Sequence, residues 1–236
     1  VAACAAVAMF LLASVTPDIP SGFDSYRHVK MAWRLSHEWA DVFKDPWRLA
    51  YLWPKPVDPY IGFHLLLAPF TWIFELVTAI KVLGALTFGG SVFMVLRLLA
   101  HFAVEQRICW MMVAMAGSGI TLFRQAVSRP YVLAIFLVLV IALWTFQRRP
   151  LLVGVASAAL AFSYSMFFLA AMVPGVWFVL RRDRTSLWTL ASCGLGMLAA
   201  MTGGLVLARA LAADPDASRA ALAAAARSAR AAADAD

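Results

Sequence analysis

Charge is scarce in this sequence. Asp, Glu, Lys and Arg make up 14% of its 236 residues, where a soluble domain carries roughly 25%. Cysteine is rarer still. Cys4, Cys109 and Cys193 all fall inside apolar runs and form no CxxC or Cys/His cluster. Neither a disulfide framework nor a zinc-finger site is indicated, and the three read as small buried residues. The four histidines show no HExxH or HxxxH spacing, which leaves no zinc-peptidase signature. Phosphate loops are missing as well. The Gly89-Gly90 and Gly203-Gly204 steps read as close helix contacts. No internal repeat of solenoid type is present.

What is abundant is apolar length. Hydrophobic residues make up 63% of the chain, and mean hydropathy is +0.80. The apolar runs are continuous rather than alternating, which selects helices over a β-barrel in a bilayer. The expected fold is therefore an all-α polytopic membrane protein with about seven transmembrane helices. The first ends at Thr16-Pro17, and the others cover about 80–99, 108–123, 131–146, 151–164, 167–180 and 186–207. Ser163-Tyr164-Ser165 turns a hairpin of two short spans. The run 1–15 is short of the roughly 20 residues a span needs, which predicts that part of it precedes Val1.

The net charge of +7 then reports topology rather than nucleic-acid binding. With the first loop outside, the inner connections hold Arg97, Arg107, Arg148, Arg149, Arg181, Arg182 and Arg184. The outer connection 124–130 holds only Arg124 and Arg129. The bias puts the first loop on the periplasmic or luminal side of a bacterial inner membrane or an ER-type membrane. Residues 1–211 form the transmembrane module. Residues 212–236 are an Ala-rich, low-complexity tail with no apolar face large enough to fold alone.

The polar exception is the first outer loop, 17–79. Its segment 16–60 holds six of the thirteen acids: Asp18, Asp24, Glu38, Asp41, Asp45 and Asp58. Pro17, Pro20 and Gly22 stop the first span. Asp24 or Ser25 then caps a helix over about 26–43, with Val29, Ala32, Trp33, Trp39, Ala40 and Phe43 on an apolar face. Such a helix lies on the membrane surface. Four prolines, Pro46, Pro54, Pro56 and Pro59, keep the next stretch extended or turning. Residues 61–74, interrupted by Pro69, are too short for a span and read as a second juxtamembrane helix.

The chemistry-bearing residues concentrate here. Asp24 reads as a carboxylate at the water–lipid boundary that activates an acceptor, or as a plain helix cap; a divalent metal there is also admitted. His28 and His64 read as a base or a phosphate contact, or as interfacial polar residues. Arg124 and Arg129 in RQAVSRPY could clamp a lipid phosphate, or simply snorkel to headgroups. Lys55 carries the same two readings, as does Lys81, which could also pair with Glu75.

The segment FDSYRHVKMAWRL resembles the first-loop acidic motif of oligosaccharyltransferase catalytic subunits, an Asp-x-Tyr-Tyr-His-x-x-Arg-like pattern. Asp24, Tyr26 and His28 match it. Arg27 stands in place of the second Tyr and Met31 in place of the Arg. WPKPVDPYIGFHLLLAPF is similar to the Pro-rich segment leading into that family's second juxtamembrane helix. The whole arrangement resembles the GT-C superfamily of integral-membrane glycosyltransferases. The resemblance implies a polyprenyl-phosphate-linked sugar donor, with Asp24 as general base and no obligatory metal. It implies substrate contacts at Tyr26, His28, Lys55, Asp58, His64, Arg124 and Arg129. Membrane lipids and other membrane subunits are the further partners implied. RQAVSRPY carries no acid where those enzymes place a second acidic motif. A non-catalytic scaffold of the same shape, binding a lipid or serving as an accessory subunit, is therefore the alternative.

Overall fold

The computed structural model describes residues 23–37, 60–116, 129–164, 166 and 168–213. Among these residues there are nine helices and no strand, so the all-α expectation holds. They are α1 (Phe23–His37), α2 (Ile61–Leu67), α3 (Phe70–Ile73), α4 (Leu76–His101), α5 (Arg107–Ala116), α6 (Pro130–Phe146), α7 (Pro150–Ser163), α8 (Leu169–Arg181) and α9 (Arg184–Ala213). Two stretches, α4 and Arg184–Gly204 of α9, are long and apolar enough to cross a membrane. The helices α6, α7 and α8 are apolar but have 17, 14 and 13 residues.

Proline sets several boundaries. Pro130 and Pro150 occupy the first positions of α6 and α7, where the missing N–H costs nothing. Pro69 separates α2 from α3, as the sequence predicts. One boundary differs from expectation. The helix α4 begins at Leu76, right after an extended Glu75, and not near residue 80. Lys81 lies inside this helix, half-buried. A lysine can pack its methylene stem along a helix and keep its charge at the margin, so it marks a helix end poorly.

The helices pack in neighbouring pairs, with α4 on α6, α6 on α7 and α8, and α9 along α7 and α8. The tightest approach joins α7 and α9, which run the same way. A Cβ on Gly196 would run into the carbonyl oxygen of Gly154, and a Cβ on Gly154 would lie 2.9 Å from the Ser192 carbonyl. Between them Ser157 Oγ donates to Cys193 Sγ at 3.2 Å. Small residues at the contact let two apolar helices approach this closely. Of the glycine steps read as helix contacts, Gly90 meets the Phe136 ring and Gly204 the Phe162 ring, while a Cβ on Gly203 would meet nothing within 4 Å among the described residues. The expectation that every cysteine is buried fails at Cys109, which is exposed. It sits on α5, which among the described elements packs appreciably only against α4.

The two ends of the bundle differ. At one end the turns 102–106, 147–149 and 182–183 converge. Phe102 meets Phe146 edge-on, Phe146 meets Trp177 edge-on, and Arg148 pairs with Asp183 at 3.6 Å. The connections expected to share the arginine-rich side thus lie together. Four residues of these turns, Ala103, Gln106, Arg148 and Arg182, hold positive φ, a region that favours glycine. At the other end α1, α2 and α3 form a platform against the first turns of α4 and α6. Its core is Val29, Ala32, Phe63, Leu67, Ala79, Ile80, Leu83 and Leu133.

Candidate functional site

The platform is built from an amphipathic stripe. On α1, Ser25, His28, Val29, Ala32 and Leu35 are buried, at the spacing of one helix face. Tyr26, Arg27, Lys30 and His37 are exposed. The sequence reading placed Val29 and Ala32 on this face. It missed that His28 and Leu35 share it, because a polar residue inside the stripe looks like a break.

Two polar contacts fix α1 in register. His28 Nδ1 and His64 Nε2 lie 2.8 Å apart, with the two side chains 4% and 3% exposed. Two turns further along α1, Ser36 Oγ sits 3.1 Å from Thr71 Oγ1. Thr71 donates to the Ala68 carbonyl and Ser36 to the Trp33 carbonyl. The chain separations are 36 and 35, so α1 runs parallel to the α2–α3 pair and meets it at both its N-terminal and C-terminal halves. His28 is ringed by aromatic edges: Tyr60 at 5.3 Å and Phe63 at 5.6 Å, centroid to centroid. Tyr60 in turn meets Tyr164, the cap of α7, at 6.1 Å. The close seat of α2 on α7 comes from Gly62, where a Cβ would fall 2.7 Å from the Phe162 carbonyl oxygen.

A histidine pair has definite chemistry. In the neutral pair one ring donates its N–H and the other accepts on a lone pair, the direction depending on tautomer. One added proton makes that bond charge-assisted. A second would turn both nitrogens into donors and abolish it.

The remaining residues singled out from sequence fall as follows. Asp24 lies in the first turn of α1, four residues before His28 and so on the same helix face; its side chain lies outside the described residues. Ser25 is fully buried, and its Oγ has no hydrogen-bond partner among the described residues. Arg129 is half-buried at the extended residue that starts α6. One turn further on, Leu133 packs into the platform core. His28, His64, Tyr60, Tyr164 and Arg129 thus belong to one end of the bundle. Lys55, Asp58 and Arg124 lie outside the described residues. Among the described residues, no three His, Cys, Asp or Glu side chains gather as a metal-binding group. The pairings Ser36–Thr71 and Tyr60–Tyr164 gave no signal in the sequence, since each joins segments far apart in the chain. No family model, curated protein or solved structure matches this chain.

Proposed function

We propose that this chain is a polytopic membrane glycosyltransferase of the GT-C type. It moves a sugar from a polyprenyl-phosphate carrier to an acceptor on the periplasmic or luminal face. In this reading α4 to α9 and the run 1–16 are the seven spans. The helix α7 rises only about 21 Å at 1.5 Å per residue, against about 30 Å of hydrocarbon, so α7 and α8 form a short hairpin that thins the layer locally. The platform α1–α3 lies at the outer surface. Asp24 takes the acceptor hydroxyl proton, and Arg124 with Arg129 stabilises the departing phosphate as its charge grows.

The observation that carries this reading is the locked platform. An acidic helix start is held through a buried histidine pair, at the bundle end where α6 begins at Arg129. A general base works only from a fixed position, and an amphipathic helix merely resting on lipid would need no such buried polar lock. The test is Asp24→Asn. Asn keeps the size and has a similar helix propensity within the first turn of α1, so the fold and the platform stay intact. Transfer from a polyprenyl-phosphate sugar should fall by about 10²–10⁴, the usual worth of a general base. Full activity in the variant would reject the assignment.

A second reading, a non-catalytic lipid-binding or accessory subunit, is favoured by α9. Only 11% of its apolar window is buried, leaving a wall for lipid or a partner helix. Wild-type protein that neither transfers sugar nor binds a polyprenyl phosphate would select this reading.

A further inference from the structure

The end of the bundle opposite the platform carries a charge imbalance that the proposed reaction does not use. The adjacent turns Gln147–Pro150 and Arg181–Arg184 hold five arginines and one acid, a local charge of +4 from 5 − 1. The single acid is already engaged. Asp183 accepts the Ser186 backbone N–H at 2.7 Å and pairs with Arg148 at 3.6 Å. Arg181 stacks its guanidinium over the Trp177 ring at 4.8 Å. That leaves Arg149, Arg182 and Arg184, all exposed and without an acidic partner among the described residues. Within a turn of them on α7, α8 and α9 stand Leu151, Leu180 and Leu187, which are 80%, 72% and 51% exposed.

We propose that these two turns bind the headgroup of an anionic phospholipid, whose acyl chains lie along the exposed apolar faces of α7, α8 and α9. Charge complementarity selects this occupant. Three exposed guanidiniums without an acidic partner among the described residues match phosphate oxygens, each able to donate two hydrogen bonds in one plane. The apolar residues directly above them match acyl chain rather than a soluble anion. A zwitterionic lipid carries its own ammonium beside the phosphate and gains little from the excess charge. The backbone agrees. Arg182 keeps a positive φ of 52° at the end of α8, where glycine would sit without strain. This inference rests on the membrane-spanning reading but not on glycosyl transfer.

The test uses the full chain reconstituted in nanodiscs of phosphatidylcholine with a fixed fraction of phosphatidylglycerol. Lipid retained after detergent extraction is counted by native mass spectrometry. The variant is Arg149→Gln combined with Arg182→Gly. Glycine relieves the αL backbone, so the variant folds at least as well as the parent, and melting in lipid-free detergent checks this. Wild type should retain phosphatidylglycerol in preference to phosphatidylcholine. The double variant should lose about 25-fold in affinity, at about fivefold per surface arginine. Equal retention of the two lipids by wild type overturns the proposal, as does undiminished preference in the variant. Full displacement by millimolar inorganic phosphate overturns it in favour of a free-anion site. A chain that does not stay with the bilayer at all defeats both this inference and the membrane reading. A preserved preference with no sugar transfer defeats only the proposed enzyme.

Discussion

At the scale of single residues, His28 and His64 decide how the platform is held. Each ring is buried, and their nitrogens lie 2.8 Å apart. Removing one partner strands a polar nitrogen in the core, at about 1–3 kcal/mol. Removing both takes away the contact between the rings together with each ring's need for it. His28→Phe and His64→Phe should therefore each destabilise by about 1–3 kcal/mol, and the double variant by clearly less than the sum of the two. Chemical denaturation in detergent measures the cycle, and additive effects would show that the rings do not act as a pair. Neither histidine's role was legible from sequence. Each reads as a base, a phosphate contact or an interfacial residue on its own, because a contact between positions 36 apart leaves no local mark. Asp24 or Ser25 reads as the cap of a helix starting near residue 26, but α1 begins at Phe23 and takes both into its first turn. Tyr26 matched a motif, yet it points away from the buried stripe and is 45% exposed.

At the scale of elements, the glycines of α7 and α9 make a sharp contrast. Gly196 abuts the Gly154 carbonyl, whereas Gly194 and Gly203 have nothing within 4 Å of a would-be Cβ. Gly196→Ala must force the two helices apart and should cost about 1–3 kcal/mol, the usual range for overpacking. Gly194→Ala and Gly203→Ala should be neutral or stabilising by up to about 1 kcal/mol, since alanine favours helix. Thermal melts of the three variants in one detergent check the order. The start of α9 gives a pH prediction. Asp183 accepts the Ser186 backbone N–H, and Ser186 Oγ bonds the Asp183 carbonyl. The Ser186 hydrogen bonds, aided by the Arg148 and Arg181 charges, hold its carboxyl below the usual aspartate range. A depressed carboxylate contributes stability that is fully present above its unfolded value near 3.8. That contribution is lost as pH falls through the lower folded value. Amide exchange at Ser186 should therefore hold steady from neutral pH to about 4 after correction for intrinsic rates, and protection should fall only below that. Asp183→Asn should retain the cap and flatten this acid response, and an unchanged response would remove Asp183 as its source.

At the scale of the whole molecule, the order of helices could be read from the continuous apolar runs, and the break at Pro69 from the missing N–H. The pairing of α7 with α9 could not, because the decisive glycines lie about forty residues apart and each looks like an ordinary helix interruption. What the charge pattern did anticipate is the grouping of turns. Seven arginines expected on one side lie in or beside the turns that converge at one end of the bundle. The platform caps the opposite end. Arginine is held back during insertion more than any acidic residue is, so that end should face the cytoplasm. Lys30 is exposed on α1 and Arg182 is exposed between α8 and α9, which makes them matched reporters of the two ends. Exposed Cys109 would confuse the readout, so the background should carry Cys4→Ser and Cys109→Ser. An impermeant maleimide added to intact cells should then label Lys30→Cys and spare Arg182→Cys. Inverted vesicles should give the reverse pattern. Labelling of both positions from one side would mean that the two ends do not lie across a bilayer. The short helices α7 and α8 would then have to be reread as buried elements of a bundle that α4 and α9 alone anchor.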